Sequence, residues 1–214
     1  MLNKNKLFGF KLSQESDFIE IGGGEGELSL CLKKKGFNLT LFIEPDLKKF
    51  KNAVDKLQGI KCLNLDIKEL TCDQIIAKSE MVTVIMQDVI EHISIDKQKL
   101  FFEILSKKYK VIYLIGRTPN LKSPFGLRNS FGDNTHLHRF TNTSLIDFLA
   151  KLDFNKTSVT REDFRITGII SLLRYPPYIF LIISLSVIYL FIFGRWEGLL
   201  TPNIAFKSEK ISKK

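Results

Sequence analysis

The stretch DFIEIGGGEGE, residues 17–27, decides the fold. It begins as a short apolar run, turns through a cluster of glycines, and leads into residues 26–35, whose apolar positions recur with helical spacing. Strand, tight turn and helix in that order begin a parallel sheet with crossover helices. Working outward, further apolar runs fall at 39–43, 60–65, 81–86 and 111–115, with helical spacing at 47–57, 69–78 and 95–107. Five strands separated by four helices predict a parallel sheet covered on both faces, with right-handed crossovers. Beyond Gly116 the pattern gives way to a loop rich in Gly, Pro and Asn that ends near Phe140. Residues 141–151 then read as a helix capped by Asn142 or Thr143. Residues 155–160 and 203–208 read as a sixth and a seventh strand. The expected class is α/β, a doubly wound, mostly parallel seven-stranded sheet with a hydrophobic helical insert before the last strand.

A chain of 214 residues can build one sizeable core and little more. Its 44% hydrophobic and 26% charged residues are an ordinary globular mixture and exclude a disordered chain. The net charge of +9 is spread over scattered lysines, which reads as a solvated face. The basic stretches carry no stacking stripe, so no nucleic-acid partner is expected. Cys31, Cys62 and Cys72 form no metal-ligand spacing with the three histidines, and no metal is expected. An odd cysteine number, with a polar and basic residue 1–16 segment that reads as no export signal, fits a reducing compartment. The expected organisation is a core at 1–165, a hydrophobic insert at 166–200, and a last strand with a basic tail at 201–214.

The glycines at Gly22, Gly24 and Gly26 let the backbone turn tightly and approach a ligand. In open parallel sheets ligands sit at the carboxyl ends of the strands, where this loop falls. A dinucleotide fingerprint needs glycine at position 27, and Glu27 stands there. The loop carries Glu20, Glu25 and Glu27 with no Lys or Arg, so a pyrophosphate would be repelled. S-adenosylmethionine, which has no phosphate and carries a sulfonium and an ammonium, fits such a loop better. Glu44 ends the second strand in FIEP, where a carboxylate can accept both ribose hydroxyls. Asp66 ends the third in LNLD and could accept from an adenine amino group.

The segments EIGGGEG (20–26), Glu44, Asp66 and QDVIEH (87–92) resemble the successive motifs of class I S-adenosylmethionine-dependent methyltransferases, of the small-molecule branch called type 11 or type 12. THLHRFT (135–141) and SLIDFLAKLDF (144–154) are also similar to that branch, and the resemblance covers roughly residues 17–160. It implies a Rossmann-like fold and S-adenosylmethionine as cofactor. It also implies that Glu20 and the glycines line the methionine end, Glu44 the ribose and Asp66 the adenine, with Gln87 and Asp88 beside the methionyl group. The chain departs from the family in its short segment before the first strand, 16 residues, so another element must enclose the acceptor. Methyl transfer to a hydroxyl benefits from a base near neutral pH. His136 is the preferred base and His138 the next; His92, at the start of a helix near the cofactor, reads as structural.

Between Tyr175 and Gly194 there is no charged residue, and Arg174 and Arg195 bracket the run. About 20 apolar residues can cross a bilayer, but a last strand at 203–208 must rejoin the sheet on the side where the chain began. Residues 166–193 are therefore expected to dip into one leaflet as two helices, 166–173 and 177–193, broken at Pro176-Pro177. A single crossing is the alternative if the last strand is not a strand. The expected site of action is the cytoplasmic face of a membrane. The expected acceptor is a small or lipid-linked molecule. By resemblance to proteins with similar inserts, that is a sugar hydroxyl in cell-surface polysaccharide assembly; the alternatives are a quinone precursor or a non-catalytic scaffold.

Overall fold

The computed structural model describes residues 2, 3, 5–162 and 168–212. A seven-stranded sheet forms its centre. The strands are β1 (Asp17–Ile21), β2 (Asn38–Ile43), β3 (Lys61–Leu63), β4 (Met81–Gln87), β5 (Val111–Pro119), β6 (Lys156–Arg161) and β7 (Asn203–Ile211). Their spatial order is β3-β2-β1-β4-β5-β7-β6. The first five run parallel, and β7 is antiparallel to both β5 and β6. The order reverses between β1 and β4, and that switch point opens a crevice at the carboxyl edge.

The helices are α1 (Glu27–Lys34), α2 (Leu47–Lys56), α3 (Ile95–Ser106), α4 (Pro124–Gly132), α5 (Asn142–Ala150) and α6 (Ile169–Phe193). Asp46 caps α2 by accepting from the Lys49 N–H at 2.9 Å. On one face of the sheet, Phe101, Phe102 and Leu105 of α3 and Leu145 and Leu149 of α5 bury the apolar sides of the strands. On the other, Leu28 and Leu32 of α1 pack with Leu7, Phe8 and Leu12 of a small antiparallel meander at the N-terminus. Residues 7–12, ahead of β1, thus help cover this face of the sheet.

Several sequence expectations change in detail. Residues 69–78 are not a helix but lie around two short 3-10 turns, Ile67–Glu69 and Cys72–Gln74, each one turn long. The Asp66 carboxylate accepts from the Lys68 N–H and the Gln74 side-chain oxygen from the Thr71 N–H, local bonds that compete with a continuous helix. The loop before Phe140 contains α4, started by Ser123 as cap and Pro124 at its first position. Thr141, rather than Asn142 or Thr143, caps α5, accepting from Ser144 N–H at 3.2 Å.

The largest change concerns the apolar segment. A single helix, α6, runs through Pro176 and Pro177. The two prolines remove donors that would meet the carbonyls of Leu172 and Leu173, but their fixed φ is itself helical, and the helix continues. The expected start of the insert at Ile166 lies outside the described residues. The helix docks through one stripe: Ile182 and Ser186 are buried, Ser186 Oγ donates to the Glu197 carbonyl at 2.6 Å, and the Tyr189 hydroxyl donates to the Lys122 carbonyl at 3.1 Å. Its other sides expose Ile169, Ile170, Phe180, Phe191 and Ile192. Asn203–Ile211 returns to the sheet as β7, placed between β5 and β6.

Candidate active site

A cavity of about 420 Å³ opens at the carboxyl ends of β1, β2, β3 and β4. Gly22, Glu44, Asp66, Asp88, Val89 and His92 line it, together with Lys49, Lys97, Asp133 and Thr135. Three of the glycines expected to turn the loop have positive φ: Gly22 at 62°, Gly24 at 58° and Gly26 at 76°. A side chain at Gly22 would meet Val89 at 2.6 Å, whereas nothing stands near the corresponding point at Gly24. Gly24 therefore leaves room for a ligand against the backbone.

Glu44 follows β2 directly and is buried. One of its oxygens accepts from the Gly24 N–H at 2.7 Å and the other from the Asp46 N–H at 2.9 Å. A carboxylate has about four acceptor sites, so two remain for hydroxyls in the cavity. Glu20 sits inside the loop, with the Ser29 hydroxyl donating to it. Burial pushes its carboxyl up to about 7 against the opposing Ser29 bonds, and Glu44 adds like-charge repulsion. Asp66 accepts from the Lys68 N–H at 3.1 Å and from Lys97 Nζ at 2.8 Å. Burial alone would raise its carboxyl; the Lys97 and Lys68 bonds outweigh burial and hold it below the usual range.

Gln87 ends β4, and its side-chain carbonyl oxygen is buried without a hydrogen-bond partner among the described residues. Asp88 adopts a left-handed backbone, φ 56°, which costs a non-glycine residue about 1–2 kcal/mol. Its N–H donates to the Arg117 carbonyl at 3.0 Å, and Arg117 Nε donates to its carboxylate at 2.9 Å. Arg117 also pairs with Glu162, so it ties β4 to the edge of β6.

The structure thus brings Gly22, Glu44, Asp66 and Asp88 onto one cavity wall, with Glu20, Gly24, Gly26 and Gln87 in the loops and strand ends around it. The expected bases fall elsewhere. His138 packs its ring against Phe140 and Phe148, at 5.9 and 4.8 Å between centroids, and does not line the cavity. His136 is buried behind the wall, and its ring lies edge-on to His92 at 4.5 Å. His92 is the imidazole that reaches the cavity, where burial and then the neighbouring His136 depress its pKa. Beside both stands Glu91, almost fully buried, whose carboxyl burial raises to about 8. The sequence offered one signal for this group, the adjacent Glu91-His92 pair just beyond a strand end, but nothing local to join it to position 136.

No family model and no curated protein matches the chain. Solved structures do. A SAM-dependent methyltransferase from Archaeoglobus fulgidus superposes with a TM-score of 0.61 at 17% identity, over 91% of this chain and 86% of that one. A protein from Thermotoga maritima, described as a possible histamine N-methyltransferase, gives 0.59 at 15% identity, over 94% and 84%. Magnesium protoporphyrin IX methyltransferase from Synechocystis, with S-adenosylhomocysteine bound, gives 0.50 at 15% identity, over 90% and 73%. Their acceptors differ, so the likeness carries architecture and not substrate. The chain has the fold of the S-adenosylmethionine-dependent methyltransferases.

Proposed function

We propose that the protein binds S-adenosylmethionine in the cavity at the carboxyl ends of β1–β4 and methylates a hydroxyl of a small or lipid-linked acceptor at a membrane surface. The observation that carries this reading is the acidic cavity wall. Glu44 keeps acceptor capacity beside an open Gly24, Asp66 lies one strand further out, and no lysine or arginine stands in the glycine loop. Bound there, the cofactor would supply a methyl group already activated on a sulfonium. The protein's share is to hold and align. Glu44 takes the ribose hydroxyls, Asp66 the adenine edge, and the glycine loop with Gln87 and Asp88 the methionyl end. Arg117 fixes Asp88 in its strained backbone. Activation of the acceptor hydroxyl falls to the Glu91–His92–His136 group, of which His92 touches the cavity.

The membrane assignment rests on α6. Its 25 residues, about 37 Å of helix, are long enough to cross, but its middle is docked on the domain through Ile182, Ser186 and Tyr189. A crossing helix would carry those contacts, and Lys122 and Glu197 with them, into hydrocarbon. An in-plane helix that buries its outer face in one leaflet avoids that. A sugar hydroxyl on a membrane-borne carrier is the acceptor we favour, and a quinone precursor the next.

The test is calorimetric titration of the detergent-purified chain with S-adenosylmethionine, beside Glu44→Ala. Micromolar binding that weakens at least about 100-fold in the variant is expected, since two charge-assisted bonds are lost. A folded wild type that does not bind would leave an inherited fold without its cofactor.

A further inference from the structure

Three side chains beside the cavity point lone pairs at one another. The Ser130 carbonyl can only accept, so His136 Nδ1, 3.1 Å away, is its donor, and His136 Nε2 is left with a lone pair. The Thr135 hydroxyl gives its single proton to Asp133 Oδ1 at 2.5 Å, so at 2.9 Å it accepts from His92 Nδ1. His92 Nε2 is then also a free lone pair. Both oxygens of Glu91, on a side chain 1% exposed, lack a hydrogen-bond partner among the described residues. The Thr118 hydroxyl nearby, itself unbonded, could satisfy one of them and leaves the other.

Glu91 Oε1 lies 4.0 Å from His136 Nε2, and Asp133 Oδ2 lies 3.9 Å from the same nitrogen. One ligand atom from each of Glu91, His92 and His136 falls within 4.8 Å of the others. A carboxyl group and two imidazole nitrogens that converge without hydrogen-bond partners call for something between them. A shared proton cannot fill a gap of 4.0 Å, because a hydrogen bond closes to about 3 Å. A cation held about 2.1 Å from three ligands sets them roughly 3.0–3.4 Å apart, and turns of the side chains would draw these atoms in to that spacing.

We propose that Glu91, His92 and His136 bind a divalent first-row transition cation. Two imidazoles and one carboxylate suit manganese, iron, cobalt or zinc, whereas magnesium and calcium prefer oxygen alone. Each imidazole already has the outer partner that such ligands use: Nδ1 of His136 on the Ser130 carbonyl, Nδ1 of His92 on Thr135. Three protein ligands leave positions open, and His92 sets one side of the ion at the cavity wall. An acceptor oxygen bound there would lose its proton near neutral pH. This last consequence rests on the methyltransferase reading; the cation site does not.

The experiment uses the full chain in detergent, free of any histidine tag and stripped of metal, titrated with Co²⁺ while visible absorption and Tm are followed. One Co²⁺ per chain is expected, with a visible band and a rise in Tm. Affinity should fall at least tenfold in His92→Ala and in Glu91→Gln, and about 10–100-fold in Thr135→Val, which removes only the outer partner. Thr135 is exposed, so that variant stays informative if changes at the buried residues impair folding. Equal Co²⁺ affinity in wild type, His92→Ala and Thr135→Val, or no visible band, would overturn the site. S-adenosylmethionine affinity, measured on the same metal-free samples, reports separately on the cofactor reading.

Discussion

The glycine loop after β1 and the helix α6 are opposite kinds of surface. In the loop the backbone and the Glu20 side chain are committed. Gly22 and Gly23 N–H groups turn toward the Ile43 carbonyl, Gly24 N–H toward Glu44, and Glu20 toward Ser29. On α6 one stripe is committed, and Ile169, Ile170, Phe180, Phe191 and Ile192 on its other sides stand exposed among the described residues. A site that recognises a small polar ligand needs fixed groups, so its residues are bound by geometry. Under the proposed membrane reading α6 needs only apolar area, so its outer residues are free to vary. Substitutions should therefore cost folding in the loop and cost attachment on the helix.

The largest effect should come inside the loop. A Cβ on Gly23 would lie 2.2 Å from the Phe42 ring and 2.9 Å from the Glu20 carboxyl carbon. Phe42 is fully buried and cannot step aside. Gly23→Ala should lose about 3 kcal/mol or more in chemical denaturation, as overpacking of a closed core does. Gly24→Ala, in open space at φ 58°, should lose only about 1–2 kcal/mol of backbone strain while obstructing the cofactor. Equal losses in the two would mean that the loop is not as closed as its contacts say.

On α6 the expected result is reversed. Phe180 and Phe191 are 73% and 84% exposed and lie within about 20° of one another on the helix, while Ile182 faces the domain from the opposite side. Phe180→Glu with Phe191→Glu should leave Tm unchanged and weaken sedimentation with anionic vesicles by roughly 30-fold, about 2 kcal/mol. Ile182→Glu should instead unfold the docking of the helix. Unaltered vesicle binding in the double variant would remove the in-plane assignment.

The two regions also differ in how well they could be read. The alternation of apolar runs and helical spacing marks the five parallel strands, because a parallel sheet writes itself as continuous hydrophobic segments; the short strands of the N-terminal meander have no such run and are not legible. Glu44 and Asp66 were found because position after a strand predicts position at the crevice. The proline pair misled, since proline disrupts a helix by what it removes, and on this exposed helix the rest of the apolar face continues unbroken. His138 and His136 were chosen by their place in a loop after β5. Which way a loop turns its side chains depends on α4 and on the Glu91 carbonyl, which takes the N–H groups of both Leu137 and His138. No local pattern carries that. His92 reads as structural from its place at the start of a helix near the cofactor; its partner at position 136 comes 44 residues later and meets it only in the folded chain.

The smallest effect is a proton. Glu20 is held at a raised pKa of about 7 against an ordinary 4.5, chiefly by burial. The folded protein therefore binds this proton more tightly than the unfolded chain does. That contribution to stability is complete below pH 4.5 and is lost as pH rises from there through about 7. Glu20→Gln keeps an oxygen that can accept from Ser29 and has no proton to lose. The difference in unfolding free energy between wild type and variant should thus shift toward the variant by about 1–2 kcal/mol between pH 5 and pH 8. Taking the difference cancels the other groups that titrate in that range, Glu91 and His92 among them. A flat difference would mean that the loop opens to water around Glu20, and the contrast with α6 would narrow at its most constrained point.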